Sequence, residues 1–147
     1  MTPASPLPAF ALPAAELAAI DAVVAAFFAA FTNAGGRVPA GDDLRRVLAP
    51  GATITRCAGP SVERYDVEAF IAPRLALLTG GRLRDFEERE VWSRTDGFGG
   101  VASRLSVYAK HGVLDGVPFT ARGVKVMQLV RTVDGWRLVA VAWEDEG

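Results

Sequence analysis

At Arg82 the chain changes rhythm, and this change constrains its fold more than any other feature. Before it, apolar residues recur at three- and four-residue spacing. After it, they alternate or are β-branched in four runs, residues 82–94, 101–110, 119–131 and 136–144. Alternation is the period of a strand and three-to-four spacing that of a helix. The runs are separated by Thr95-Asp96-Gly97, by residues 112–116, and by residues 132–135. Short Asp-Gly connections of this kind join antiparallel neighbours. Helices followed by an antiparallel meander predict an α+β domain with the helices on one face of the sheet.

The helical half divides in the same way. Residues 1–13 hold four prolines and read as a flexible arm, with the folded domain spanning residues 14–147. From Ala14 to about Asn33 the residues are mostly good helix formers, and Ile20, Val24, Phe27, Phe28 and Phe31 share a face. The opposite face carries alanines rather than charges, so this helix is expected to be covered on more than one side. Gly35-Gly36 ends it. A short second helix starts at Asp42 or Asp43 and stops at Pro50-Gly51. Residues 52–57 read as a short strand broken by Gly59-Pro60. Asp66 is placed as the N-cap of a third helix that buries Phe70, Ile71, Leu75 and Leu78 and closes at Gly80-Gly81.

Composition narrows the function classes. Half of the 147 residues are hydrophobic, which suits one globular domain with its own core. Sixteen basic and seventeen acidic side chains nearly cancel. No basic excess points to nucleic acid or to an anionic membrane. The apolar stretch 17–31 is shorter than a membrane span and contains Asp21. One cysteine, Cys57, and one histidine, His111, are too few for a zinc site or an internal disulfide. The expectation is a cytoplasmic protein without metal or cofactor. Cys57 reads as a structural cysteine and His111 as an exposed turn residue.

Three helices, a strand between the second and third, and a long antiparallel run resemble the nuclear transport factor 2-like superfamily. The resemblance rests on Asp134-Gly135-Trp136-Arg137-Leu138-Val139, on the helix over residues 66–79 and on the aromatic helix ending at Phe31. It covers residues 14–145. It implies three helices packed on a strongly curved antiparallel sheet, a cystatin-like roll whose cone encloses a cavity. The superfamily includes ketosteroid isomerases, SnoaL-like cyclases, dehydratases, association domains and proteins without a known role, so fold does not select a function.

Within such a cone the inward-facing strand residues are the candidates. A turn at Asp96-Gly97-Phe98 would set Arg104 opposite Glu90 and Tyr108 opposite Phe86. Phe86, Glu88, Glu90, Trp92, Arg104, Ser106 and Tyr108 then share one face and mix aromatic, charged and hydroxyl groups as a ligand pocket does. Glu90, Arg104 and Tyr108 are the catalytic candidates: a carboxylate base held by a guanidinium, and a phenol that donates to a carbonyl. The competing reading of Glu90–Arg104 is a solvated cross-strand pair. Arg56, Tyr65, Lys125 and Met127 complete the ligand-binding set with Phe86, Glu88, Trp92 and Ser106. In the last hairpin Lys125, Met127 and Leu129 are grouped with Leu138, Ala140 and Ala142, and Val124, Val126 and Val130 with Val139, Val141 and Trp143. Both faces are apolar, so a second copy is expected to cover the outer one as a homodimer. Two functions stay open: a cofactor-free isomerase, lyase or cyclase acting on a small hydrophobic substrate, or a non-catalytic ligand-binding or dimerisation module.

Overall fold

The computed structural model describes residues 6–147. Its elements run α1 (Ala14–Ala29), α2 (Gly41–Arg45), β1 (Leu48–Ala58), β2 (Ser61–Tyr65), α3 (Val67–Thr79), β3 (Leu83–Phe98), β4 (Val101–Leu114), β5 (Val117–Thr132) and β6 (Gly135–Asp145). The six strands form one curved sheet in the order β2-β1-β6-β5-β4-β3. Neighbours are antiparallel except β1 and β6, which run parallel. Among the described residues no helix is long and apolar enough to cross a membrane.

The α1 stripe of Ile20, Val24, Phe27 and Phe28 packs with Phe31, with Phe70 and Ile71 of α3, and with Tyr108, Met127, Leu129, Leu138 and Val141 of the sheet. Burying each large side chain contributes about 1.5–3 kcal/mol. The opposite face of α1 differs from expectation: Ala18, Ala22, Ala25 and Ala29 are exposed, and only the aromatic stripe is covered. The first helix also stops at Ala29, short of Asn33. Asn33 is used otherwise. Its Nδ2 donates to the carbonyls of Leu78 and Leu83 at 2.9 and 2.7 Å, and its Oδ1 accepts from the Phe86 amide at 2.7 Å. One side chain therefore ties the end of α1 to the end of α3 and the start of β3.

The strand expected at 52–57 runs from Leu48 to Ala58, and Gly59-Pro60 is the turn of a hairpin that continues into β2. Asp66 caps α3 as expected, accepting from the Ala69 amide at 2.8 Å.

Two registers differ from the sequence reading. The β3–β4 hairpin turns at Gly99-Gly100, with Phe98 opposite Val101, so Glu90 faces Tyr108 and Thr95 faces Arg104. A bulge between Glu90 and Trp92 then exchanges the faces of β3. Phe86, Glu88 and Glu90 point inward, but beyond the bulge Ser93 and Thr95 do, and Trp92 is 51% exposed on the outer side. Trp92 therefore leaves the expected pocket set. A second irregularity, opposite Gln128 and Leu129, exchanges the faces of β6. Val141 and Trp143 are buried with Lys125 and Met127, while Ala142 lies outside, the reverse of the expected grouping.

Candidate functional site

The sheet and α3 enclose a cavity of about 390 Å³. Its apolar walls come from Phe70, Leu77 and Leu78 of α3, Leu83 and Phe86 of β3, Phe119 of β5 and Trp143 of β6. Phe70 and Trp143 meet edge to face at 5.7 Å, and Phe86 stacks on Phe119 at 6.4 Å. Six charged side chains also line it: Arg56, Arg74, Glu88, Lys110, Lys125 and Asp145.

Lys125 and Glu88 form the most buried polar pair. Their side chains are 6% and 8% exposed, and Lys125 Nζ lies 2.9 Å from Glu88 Oε1. The approach is an ion contact rather than an aligned hydrogen bond, so Oε1 has no well-directed donor. The ammonium also sits 4.1 Å from the Tyr108 ring centroid and 4.8 Å from that of Trp143. Burial pushes the Lys125 pKa below the usual lysine range, and Glu88 opposes that shift.

Nearer solvent, Lys110 Nζ donates to both oxygens of Asp145 at 3.0 and 2.9 Å, and the Tyr108 hydroxyl donates to Asp145 Oδ1. Burial, reinforced by Asp145, raises the Tyr108 pKa. Burial alone would also raise Asp145, but the bonds from Tyr108 and Lys110 outweigh it and hold the carboxyl below its ordinary value. Gly123 makes this cluster possible. A Cβ there would strike the Tyr108 hydroxyl and the Glu144 carbonyl. The glycine serves as a close-approach site beneath the phenol.

Glu90 and Arg104 meet, though not as direct cross-strand partners. Arg104 is 4% exposed. Its Nε donates to Glu90 Oε2 at 3.0 Å and its Nη2 to Glu90 Oε1; its Nη1 donates to Asp21 of α1 at 2.6 Å and to Thr95 at 3.1 Å. The Ser106 hydroxyl donates to Glu90 Oε2 at 2.6 Å. Burial lowers the Arg104 pKa, but Glu90 and Asp21 together raise it overall. Both Glu90 oxygens are occupied, and none of Glu90, Arg104, Ser106, Tyr108 or Met127 lines the cavity. Asp21 is thus an acid that reaches inward from a half-exposed position.

Of the remaining sequence candidates, Arg56, Phe86, Glu88 and Lys125 line the cavity. Tyr65 sits on edge strand β2, donates to Glu63 and packs beside Arg74. His111 is exposed, 3.6 Å from Glu87. Among the described residues no group of three or more His, Cys, Asp and Glu is placed to hold a metal ion.

Sequence reasoning missed Arg74, Lys110, Phe119, Trp143 and Asp145. Lys110 continues the parity of Tyr108, and Phe119 that of Lys125. Arg74 follows Phe70 by one helical turn. Trp143 and Asp145 were hidden by the irregularity in β6.

Solved structures share this architecture. The chain superposes on a protein from Kribbella flavida with a TM-score of 0.74 at 18% identity, covering 90% of this chain and 92% of that one. It superposes on a nuclear transport factor 2-like superfamily protein from Salmonella enterica serovar Typhimurium with a TM-score of 0.70 at 12% identity, covering 87% and 89%. The fold is that of the nuclear transport factor 2-like proteins. A protein from Shewanella frigidimarina, provisionally named a ketosteroid isomerase, is similar over 85% of this chain and 94% of its own at 23% identity and a TM-score of 0.62. No protein-family profile matches the chain, and no curated protein matches it in sequence.

Proposed function

We propose that this protein binds a small, largely apolar molecule inside the cone, with Lys125–Glu88 and Lys110–Asp145 as the polar groups that orient it. One observation carries the reading. A cavity of about 390 Å³ with aromatic walls keeps a buried ammonium–carboxylate pair on its lining. Pockets for small molecules have this character, mostly apolar with a few placed polar groups. A buried ion pair contributes little net stability compared with a well-packed apolar pair. Its presence on a cavity wall therefore supports a role in recognition.

The same groups suit proton transfer without a cofactor. On the cavity lining, Lys125 is a lysine of lowered basicity and Asp145 a carboxylate held ionised. An isomerase or lyase acting on a hydrophobic carbonyl compound could draw on an acid and a base of this kind. Glu90 and Arg104 are assigned instead to holding α1 against β3 and β4.

A dimerisation role is supported by a separate observation. On the outer sheet face Trp92, Val101, Val124 and Val126 are 51%, 56%, 41% and 50% exposed. We propose that a second copy covers this face.

The test of the binding reading uses naphthamide, a neutral two-ring probe, and a variant that fills the cavity. Ala121 lines the cavity, and Ala121→Trp would occupy it. Naphthamide raises the melting temperature of the wild-type protein and not of Ala121→Trp. An equal shift in both would place the ligand elsewhere.

A further inference from the structure

We propose that the ligand of this cavity carries a carboxylate and that Arg74 reads it; this rests on the cavity being the binding site. The lining holds four cations, Arg56, Arg74, Lys110 and Lys125, against two carboxylates, Glu88 and Asp145. Both carboxylates are already matched: Glu88 by Lys125 at 2.9 Å and Asp145 by Lys110 at 2.9 Å. Arg56 pairs with Glu63 on the neighbouring edge strand at 3.2 Å. Arg74 is the cation left over. Among the described residues no carboxylate oxygen lies within 4.0 Å of it.

The surroundings of Arg74 point the same way. Its guanidinium lies over the Phe70 ring at 3.9 Å, with the Tyr65 and Trp143 rings at 5.2 and 5.3 Å. Stacking occupies the face of the group and leaves its in-plane donors available. A guanidinium has five N–H donors. One donates a long bond from Nη1 to the Phe70 carbonyl at 3.4 Å, and the Tyr65 hydroxyl nearby also favours the charge, which leaves the remaining in-plane donors without an acceptor of full strength. Burial disfavours the charge on Arg74, and the positive field of Arg56 adds to that. Glu88 acts on it favourably but from beyond contact distance. Arginine does not escape by losing its proton. A partly desolvated, stacked guanidinium with spare donors matches a planar carboxylate, which can accept two parallel N–H bonds. The aromatic walls then take the rest of the ligand, so the class is an apolar, ring-bearing monocarboxylic acid.

The experiment is calorimetric titration of the full chain with naphthoate and with naphthamide, which differ only in charge and one donor group. The wild-type protein is expected to bind naphthoate at least about tenfold tighter than naphthamide, as charge-assisted bonds are worth about that much. Arg74→Met keeps naphthamide affinity within about twofold and loses the preference. Arg74→Lys, which preserves charge without the planar fork, keeps part of it and serves if the methionine variant does not fold. Equal or tighter binding of naphthamide by the wild type overturns the carboxylate assignment and leaves the cavity reading standing. A full preference retained in Arg74→Met overturns the role of Arg74. Binding of neither probe overturns both proposals.

Discussion

Replacing Glu88 with Gln leaves the Lys125 ammonium buried without its counter-charge. The two side chains are 8% and 6% exposed, so solvent offers little replacement. Removing one partner of such a pair costs about 3–5 kcal/mol. The penalty has a ceiling, because Lys125 can lose its proton instead. From a free-lysine pKa near 10.4, neutralisation at pH 7 costs about 5 kcal/mol, and about 1.4 kcal/mol less for each unit of rising pH. Unfolding by urea, followed by tryptophan fluorescence at several pH values, measures this. At pH 7 Glu88→Gln should lose about 3–5 kcal/mol, a melting-temperature drop of about 10–15 °C. The sign with pH follows from linkage. The folded-state pKa of Lys125 lies below its unfolded value, so between the two the unfolded chain binds more protons and stability rises with pH. The deficit of Glu88→Gln should therefore shrink toward pH 10. The double variant Glu88→Gln with Lys125→Met should regain most of the loss at pH 7, since no charge is stranded. A deficit below about 1 kcal/mol that does not change with pH would refute the reasoning, because it would mean the pair is solvated.

Both tyrosines have pKa values raised above 10, Tyr65 first by its bond to Glu63 and Tyr108 first by burial. Ultraviolet titration of the native protein should show no tyrosinate midpoint near pH 10, and denaturation should restore one; a native midpoint at 10 would contradict the Asp145 and Glu63 contacts. Gly123→Ala forces a methyl into the Tyr108 hydroxyl and the Glu144 carbonyl and should destabilise by about 1–3 kcal/mol or more. Tyr108→Phe should relieve part of that in the double variant, and strictly additive losses would show that the hydroxyl is not the obstacle. Val126→Glu on the outer sheet face should convert a dimer to a monomer in light scattering, and a monomeric wild type would end the dimer proposal.

The order of elements was legible because period and turn chemistry are local. Pro13, the Asp66 cap and Gly135-Trp136 mark boundaries that neighbouring residues decide. The faces of β3 and β6 were not legible, for one shared reason. A bulge shifts parity by a single residue and reverses every side chain beyond it. No strong sequence signal marks the step at Val91 or the one opposite Gln128. Trp92 was therefore read as inward and Trp143 as outward, and the error hid Asp145 as well. From Phe86 to Glu90 the parity held, which is why Glu88 lies in the cavity. Glu90 and Arg104 were paired from an incorrect register and still touch, because the long guanidinium reaches across several residues to a carboxylate on the same inner face. Arg74 was invisible for a different reason. What singles it out is the absence of a nearby carboxylate, and an absence of that kind is a property of the assembled cavity.

The position of a bound ligand tests the cavity as binding site most directly. A crystal structure of the protein grown with saturating naphthoate measures that. Ring density is expected between Phe70, Phe86, Phe119 and Trp143, next to the Lys125–Glu88 pair. An empty cone with the probe instead in the groove beside Phe10 and Phe98 would contradict it.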